Sequence, residues 1–503
     1  MRRLNARSNQ IITEKKELLD REIAQTKRKL QTLTAQLSVL AELDTRQPLG
    51  LASLLRLEAP ETVSRKAKSL GLRKRFAMKR LVFKSLLSGA ASFVACVSSP
   101  AEEWPQYRGP AGDGICAASL TAWPANGPKP VWKAQLPGGF SSFSVAEGKV
   151  FTVISRNIDG AQFEICVALA ADTGKELWAS PTGIAKFEHG GDAGAQGNQG
   201  GDGPRSTPAV SSHRVYVYSA NMVLHCFDAA TGKPVWKQDI GKEFSGRNIG
   251  WKSAMSPVID GDLLYVAGGG AGESMLAFNK TSGAVAWKTG DDTMTHATPV
   301  VATIGGVRQV IFLMESGLVA LDAGNGKSLW RFPFQFRTAT GCSPVISDGV
   351  VFCSAGYGVG GAACRVTKNG AAFQAKELWR SRGDASVASL WSTPVCKDGY
   401  LYGMISFKKF GSGPLKCVDL KTGDVKWEQP GFGAGNVILA GNHLLALSDD
   451  GHVAMVEATP SAYKELGRVK AVEGKCWSTP ALADGRLYLR STKEGACLDF
   501  KRR

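Results

Sequence analysis

"CFDAATGKPVWK", Cys226 to Lys237, decides the fold because it is not alone. "VALAADTGKELWA" stands at 167–179, "AFNKTSGAVAWK" at 277–288 and "VALDAGNGKSLWR" at 319–331. A stretched form ends in "KELWR" at 380, and "CVDLKTGDVKWE" spans 417–428. The aligned tryptophans are Trp132, Trp178, Trp236, Trp287, Trp330, Trp379 and Trp427, between 43 and 58 residues apart. Periods of roughly 40–50 residues belong to propellers and related arrays. An eighth unit, "MVEATPSAYKELGRV", puts Leu466 in the tryptophan position.

A second marker runs in parallel: a small residue, usually Ser or Thr with Pro, then an apolar run and a turn. "TPAVSSHRVYV", "SPVIDGDLLYV", "SPVISDGVVFC" and "TPALADGRLYL" are examples, and it too occurs eight times. Each unit decodes as four strands: the Pro-led strand, a β-branched and aromatic strand after a Gly turn, the "ALDA" strand, and the tryptophan strand after "TGK". The predicted fold is all-β, an eight-bladed β-propeller of four-stranded blades over 130–503. The tryptophans are read as wedges between blades, each contributing on the order of several kcal/mol of burial. "PVWKAQL" at 130–136 has no partners before it, and the last unit lacks a fourth strand. The early strand is therefore expected to complete the last blade and leave no open edge.

Ahead of the propeller, residues 102–129 read as an N-terminal extension, 78–101 as a signal peptide and 1–77 as a basic helical leader. Leu19, Ile23, Thr26, Leu30, Leu33, Leu37 and Leu40 alternate at spacings of four and three, a coiled-coil seam. Lys79 and Arg80 then precede an apolar stretch that falls short of a membrane span and ends at Ser99-Pro100-Ala101. Two outcomes fit the signal: cleavage after Ala101, or lipidation at Cys96 in "FVAC". A signal this far from Met1 favours translation starting at Met78, the alternative being a cytoplasmic coiled coil fused to a signal anchor.

The formal charge of +17 is concentrated in the leader. Residues 1–80 hold 19 Lys/Arg against 8 Asp/Glu, so the body is nearly balanced and nucleic-acid binding by it is not supported. Of the eleven cysteines, Cys226, Cys364, Cys417 and Cys497 are assigned the slot that Ala168, Ala277, Ala320 and Ala454 hold in other units. They read as small apolar fillers, with no CxxC, no adjacent pair and no structural metal expected.

With "D-x-x-T-G-K-x-x-W" or a variant of it in most units, "WPQYRGPAGDG" at 104–114 and "GDGPRSTPAV" at 201–210, the chain from about 104 to 503 resembles the pyrroloquinoline-quinone (PQQ) repeat propellers. That family includes quinoprotein alcohol dehydrogenases and the outer-membrane assembly lipoprotein BamB. The resemblance implies an eight-bladed propeller, and either of two roles. The first is an exported, periplasmic or secreted, outer-membrane-associated binding or scaffold module with a protein or cell-envelope partner and no cofactor. The second is a PQQ-dependent dehydrogenase with calcium. The dehydrogenases use an adjacent-cysteine disulfide and an acidic calcium set, and this chain shows neither by motif, which favours the scaffold.

A propeller presents function where its innermost strands begin. Arg205, Trp251, Lys252, His296, Arg337, Trp391, Asn436 and Trp477 fall there and form the candidate ligand funnel, suited to a planar or anionic ligand. No catalytic residue is assigned. Asp192, Asn198 and Asp202 in the Gly-rich loop 187–204 are weighed as calcium ligands, but the spacing suits a flexible rim loop better.

Overall fold

The computed structural model describes residues 102–500, apart from 118–119, 121–122, 124–126, 185–202, 338–339, 385–386 and 406–412. The leader, the signal, Cys96 and most of loop 187–204, with Asp192, Asn198 and Asp202, lie outside the described residues. Within them the regular structure is almost wholly strand, with one helical turn at Ile240–Glu243. No helix among the described residues is long and apolar enough to cross a membrane.

The strands form eight sheets, the blades of a propeller. Blades 1 to 7 occupy 144–184, 209–239, 258–289, 300–333, 345–381, 395–429 and 436–470; in blades 1 to 6 the first strand lies at one edge and the tryptophan strand at the other, and in blade 7 Ile115–Cys116 adds a fifth strand outside the first. Blade 8 takes Ala481–Ala483, Arg486–Arg490 and Glu494–Asp499 from the far end of the chain. Its fourth strand is Lys129–Gln135, antiparallel to Glu494–Asp499.

Each letter of the repeat has a structural cause. In blade 2 the Asp228 carboxylate accepts from the Ala230 and Thr231 amides, closing the turn. The glycine of "TGK" lies flat beneath the tryptophan of the preceding blade. A β-carbon on Gly232, Gly283, Gly326 or Gly423 would stand 2.7–2.9 Å from the indole of Trp178, Trp236, Trp287 or Trp379. The indole nitrogens then donate across the junction, Trp178 to Ala229 O at 3.1 Å and Trp379 to Leu420 O at 2.9 Å. Trp132 does the same across the junction of blades 8 and 1, over Gly174 and to Ala171 O at 3.0 Å. Trp330 of blade 4 departs from the pattern. Blade 5 has no "TGK" turn to receive it, and its indole donates within its own blade to Gln309 Oε1 at 2.7 Å.

Gly283→Ala tests the contact. Gly283 (φ +73°) and Gly272 (φ +79°) share a left-handed backbone, but a β-carbon at Gly272 meets nothing within 4 Å. Alanine at either site should cost about 1 kcal/mol of backbone strain. Gly283→Ala should lose about 1–3 kcal/mol more, because the indole must move. Urea titrations of the two variants give the difference, and equal losses would show that the indole is not held by the glycine.

Slot assignments in two blades are one residue out. A bulge in the outer strand drops the residue before the tryptophan from register, and in blade 5 the residue that faces Trp379 is Ala363, while Cys364 comes one place later and pairs with Glu377. In blade 7 the same bulge takes Leu466, which leaves Gly467 in the tryptophan register opposite Met455, so Ala454 pairs with Arg468 instead. The missing indole is supplied from elsewhere. Trp123 lies over Gly467, 2.3 Å from where its β-carbon would be, and meets Phe500 of blade 8 edge-on at 6.0 Å. Cys226, Cys417 and Cys497 do face Trp236, Trp427 and Trp132.

The Ser/Thr of the second marker ties blades together near the axis. The amide of Ser142 donates to Thr207 Oγ1, that of Thr207 to Ser256 Oγ, and that of Ser256 to Thr298 Oγ1, at 2.9–3.0 Å. Ser343 N donates to Thr393 Oγ1 at 3.0 Å, and Thr479 N to Ser142 Oγ at 2.8 Å. A backbone donor that no ladder could reach is satisfied by the next blade's hydroxyl.

Residues 102–116 circle the axis where the innermost strands end. Glu102 O accepts from Asp484 N of blade 8, and Trp104 exchanges two backbone bonds with Val145 of blade 1. Pro105 O accepts from Val210 N of blade 2, and Gln106 Oε1 from Ile259 N of blade 3. Arg108, 1% exposed, donates to Thr393 O and Pro394 O of blade 6 at 2.7 and 2.8 Å. Ile115–Cys116 then runs parallel to Leu439 and Ala440 of blade 7. This segment stoppers one end of the channel.

Candidate functional site

The opposite end is ringed by one residue per blade, two positions before the axial Ser/Thr, or before Gly435 in blade 7. In blade order, starting from blade 1, these are Phe140, Arg205, Ala254, His296, Gly341, Trp391, Gly433 and Trp477. Four sequence candidates, Arg205, His296, Trp391 and Trp477, belong to this register. Small residues between the large ones let side chains from non-adjacent blades meet. Trp391 of blade 6 and Trp477 of blade 8 approach to 4.3 Å between ring centroids, and Phe140 stacks on Trp477 at 4.7 Å and 26°. The Lys475 ammonium stands 4.7 Å from the Trp477 centroid, a cation–π contact.

Hydrogen bonds fix this cluster. Trp391 Nε1 donates to Ala434 O at 3.1 Å, and Asn436 Nδ2 to Trp477 O at 2.8 Å. Asn436 is buried and serves as a brace. Phe140 and Lys475 are not among the sequence candidates. Phe140 is legible in principle, because "FSSF" aligns with "WSTP", whereas nothing local marks Lys475.

A second group gathers on blades 2, 3 and 4. Arg205 Nη1 donates to Trp251 O at 3.0 Å, and His296 Nε2 meets Lys252 O at 2.9 Å. Gly341 joins the two groups, since a methyl there would stand 3.4 Å from Trp391 Cβ and 3.9 Å from His296 Cβ. Arg337 joins neither group in any described contact. It is exposed, and its charge acts on Glu315, whose carboxyl is raised by burial and lowered by Arg337.

His296 is buried, and burial first, then the Arg205 charge, pulls its pKa down to about 4. The ring is neutral at pH 7 and free in the unfolded chain to take a proton below about 6.5. Stability should therefore be complete above pH ~6.5 and fall as the pH drops toward 4, by up to about 3 kcal/mol from this residue. Urea titrations at pH 7 and 4.5 should show that fall, and His296→Gln should reduce it. An unchanged pH slope in the variant would remove His296 as the cause.

PQQ with calcium does not fit these side chains. The flat space a planar ring would need is filled by Trp391, Trp477 and Phe140 packed on one another, and Arg205 and Asn436 are committed to backbone carbonyls. Among the described residues there is no group of three or more His, Cys, Asp or Glu placed to hold a metal ion.

Comparison with known proteins places this architecture. Residues 161–429 match the family model described as outer membrane protein assembly factor BamB. The factor of that name from Shewanella oneidensis is 24% identical over 338 residues, spanning 57% of this chain and 82% of the relative. That from Yersinia pestis is 23% identical over 310 residues, spanning 57% and 74%. Among solved structures, BamB from Moraxella catarrhalis superimposes with a TM-score of 0.51 at 14% identity, over 74% of this chain and 99% of the other. The quinohemoprotein alcohol dehydrogenase from Comamonas testosteroni reaches 0.55 at 14% identity, over 82% and 83%, a likeness of fold alone. The matched repeats make up more than half of the chain, and the chain belongs to the BamB-like family of PQQ-repeat propellers.

Proposed function

We propose that this propeller is a non-catalytic scaffold, exported to the periplasm and working at the outer membrane through a protein partner. The observation that carries the reading is the filling of the channel by the chain's own residues. Residues 102–116 occupy one end, and the Phe140–Trp477–Trp391 stack occupies the other. With the axial site taken, recognition falls to the outer faces, which is where a scaffold works. The relatives named as outer membrane assembly factors support the same role. A signal at 78–101, with either lipidation at Cys96 or cleavage after Ala101, suits this placement.

Two measurements test it. Absorbance titration of the purified protein with PQQ and calcium should show no stoichiometric complex, and no alcohol or sugar should reduce a dye. Photo-crosslinking from surface positions in intact cells should trap a protein of the outer-membrane assembly apparatus. Stoichiometric PQQ with alcohol-dependent turnover would overturn the scaffold reading.

A further inference from the structure

All twelve tryptophans are described, and Trp251 alone is exposed, at 44%. The rest are buried or half-buried in the blades, the stopper and the ring. Trp251 and Lys252 are also consecutive left-handed residues, each with φ of 61°, a conformation that bulky side chains rarely adopt. The turn is held in that shape from outside. Arg205 Nη1 grips the Trp251 carbonyl and His296 Nε2 the Lys252 carbonyl. Asn248 Nδ2 and Ser253 N both donate to Ala220 O, at 2.7 and 3.2 Å, anchoring the loop to blade 2.

Every one of these grips is on the main chain or on another side chain. Glycine at 251 would keep them all and lose the strain. The indole is therefore not what holds the turn, and the turn holds the indole out in solvent. Strain kept at a surface aromatic is a mark of function. The chemistry of the partner follows from charge. Residues 244–259 carry an exposed Arg247 and a half-buried Lys252 and no Asp or Glu, with Arg205 beneath. An exposed indole among cations complements a segment that pairs carboxylates with apolar side chains.

We propose that Trp251, flanked by Arg247 and Lys252, anchors a docking site for an acidic, apolar-bearing segment of a protein partner. The site rests on the scaffold reading and gives it an address.

The test uses the full exported protein and a short fluorescein-labelled peptide of alternating Asp and Phe. The same peptide with Lys for Asp and vesicles of phosphatidylglycerol serve as the other arms. The acidic peptide should bind saturably and more weakly as salt rises. Trp251→Ala should weaken it by about tenfold or more. Trp251→Gly should lose binding equally while its melting temperature holds or rises by about 1–2 °C. Equal binding by Trp251→Ala, no binding of the acidic peptide, equal binding of the Lys peptide, or preference for the vesicles would each overturn the site. So would a lowered melting temperature in Trp251→Gly, which would make the indole structural. A cellular crosslink to a protein through another face would keep the scaffold and remove this anchor, so the two failures are distinguishable.

Discussion

Deleting residues 102–136 is expected to give a protein that aggregates, or that melts at least about 20 °C below the full exported form. The deletion takes three things at once. Lys129–Gln135 leaves blade 8, so the edge of Glu494–Asp499 is bared to other chains. Trp132 leaves the pocket over Gly174, which opens the junction between blades 8 and 1. The stopper goes too, and with it the buried Trp104 and Arg108 that join blades across the axis. Each loss alone belongs among the severe mechanisms of destabilisation. Calorimetry with light scattering reads both outcomes, and a truncated protein melting with the full form would mean that the ring closes by other contacts.

Arg490→Ala should cost about 3–5 kcal/mol, the largest effect expected from one substitution. Arg490 is 1% exposed, and burial lowers its pKa to about 9, so it remains charged at neutral pH. Its guanidinium lies across the same closing junction. Nη1 donates to Thr152 Oγ1 at 2.5 Å, to Val153 O at 2.6 Å and to Ser141 O at 3.2 Å. Nη2 reaches Gly138 O at 2.5 Å. Alanine would leave these acceptors without their donor and a cavity between blades 8 and 1. Arg490→Lys should recover less than half, because an ammonium cannot span the fork from Gly138 to Val153. Guanidinium titrations of the three proteins settle the order, and a Lys variant as stable as the parent would show that charge matters here and the fork does not.

The repeat was legible because its cause is local: a turn, a glycine and an indole recur within a dozen residues. The number of blades follows from counting them. What could not be read depends on distance. Trp123 replaces the indole of blade 7 from more than 300 positions away, and only the three-dimensional register shows that Gly467, not Leu466, stands in the slot. The hydroxyls of the Ser/Thr-Pro marker were visible as a pattern, but their acceptor role lies on a neighbouring blade. The ring at the open end was half legible. Arg205, His296, Trp391 and Trp477 share one register, whereas Trp251, Lys252 and Asn436 support or flank it and Arg337 stands apart. Phe140 aligned all along, and Lys475 reaches Trp477 only in the folded molecule.

The strand shared between the two ends of the propeller also sets an order in time. Lys129–Gln135 leads the propeller chain, and its partner Glu494–Asp499 follows after roughly 360 residues. Joining ends that far apart costs about 5 kcal/mol of chain entropy before any contact forms. Seven blades can stack as the chain emerges, N-terminal end first, into the compartment where it folds, but the eighth has to wait. The folding protein therefore passes through an open crescent with a bare blade face at each end, the stage at which holding by a chaperone matters most. Once shut, the same seam is where the ring must part first.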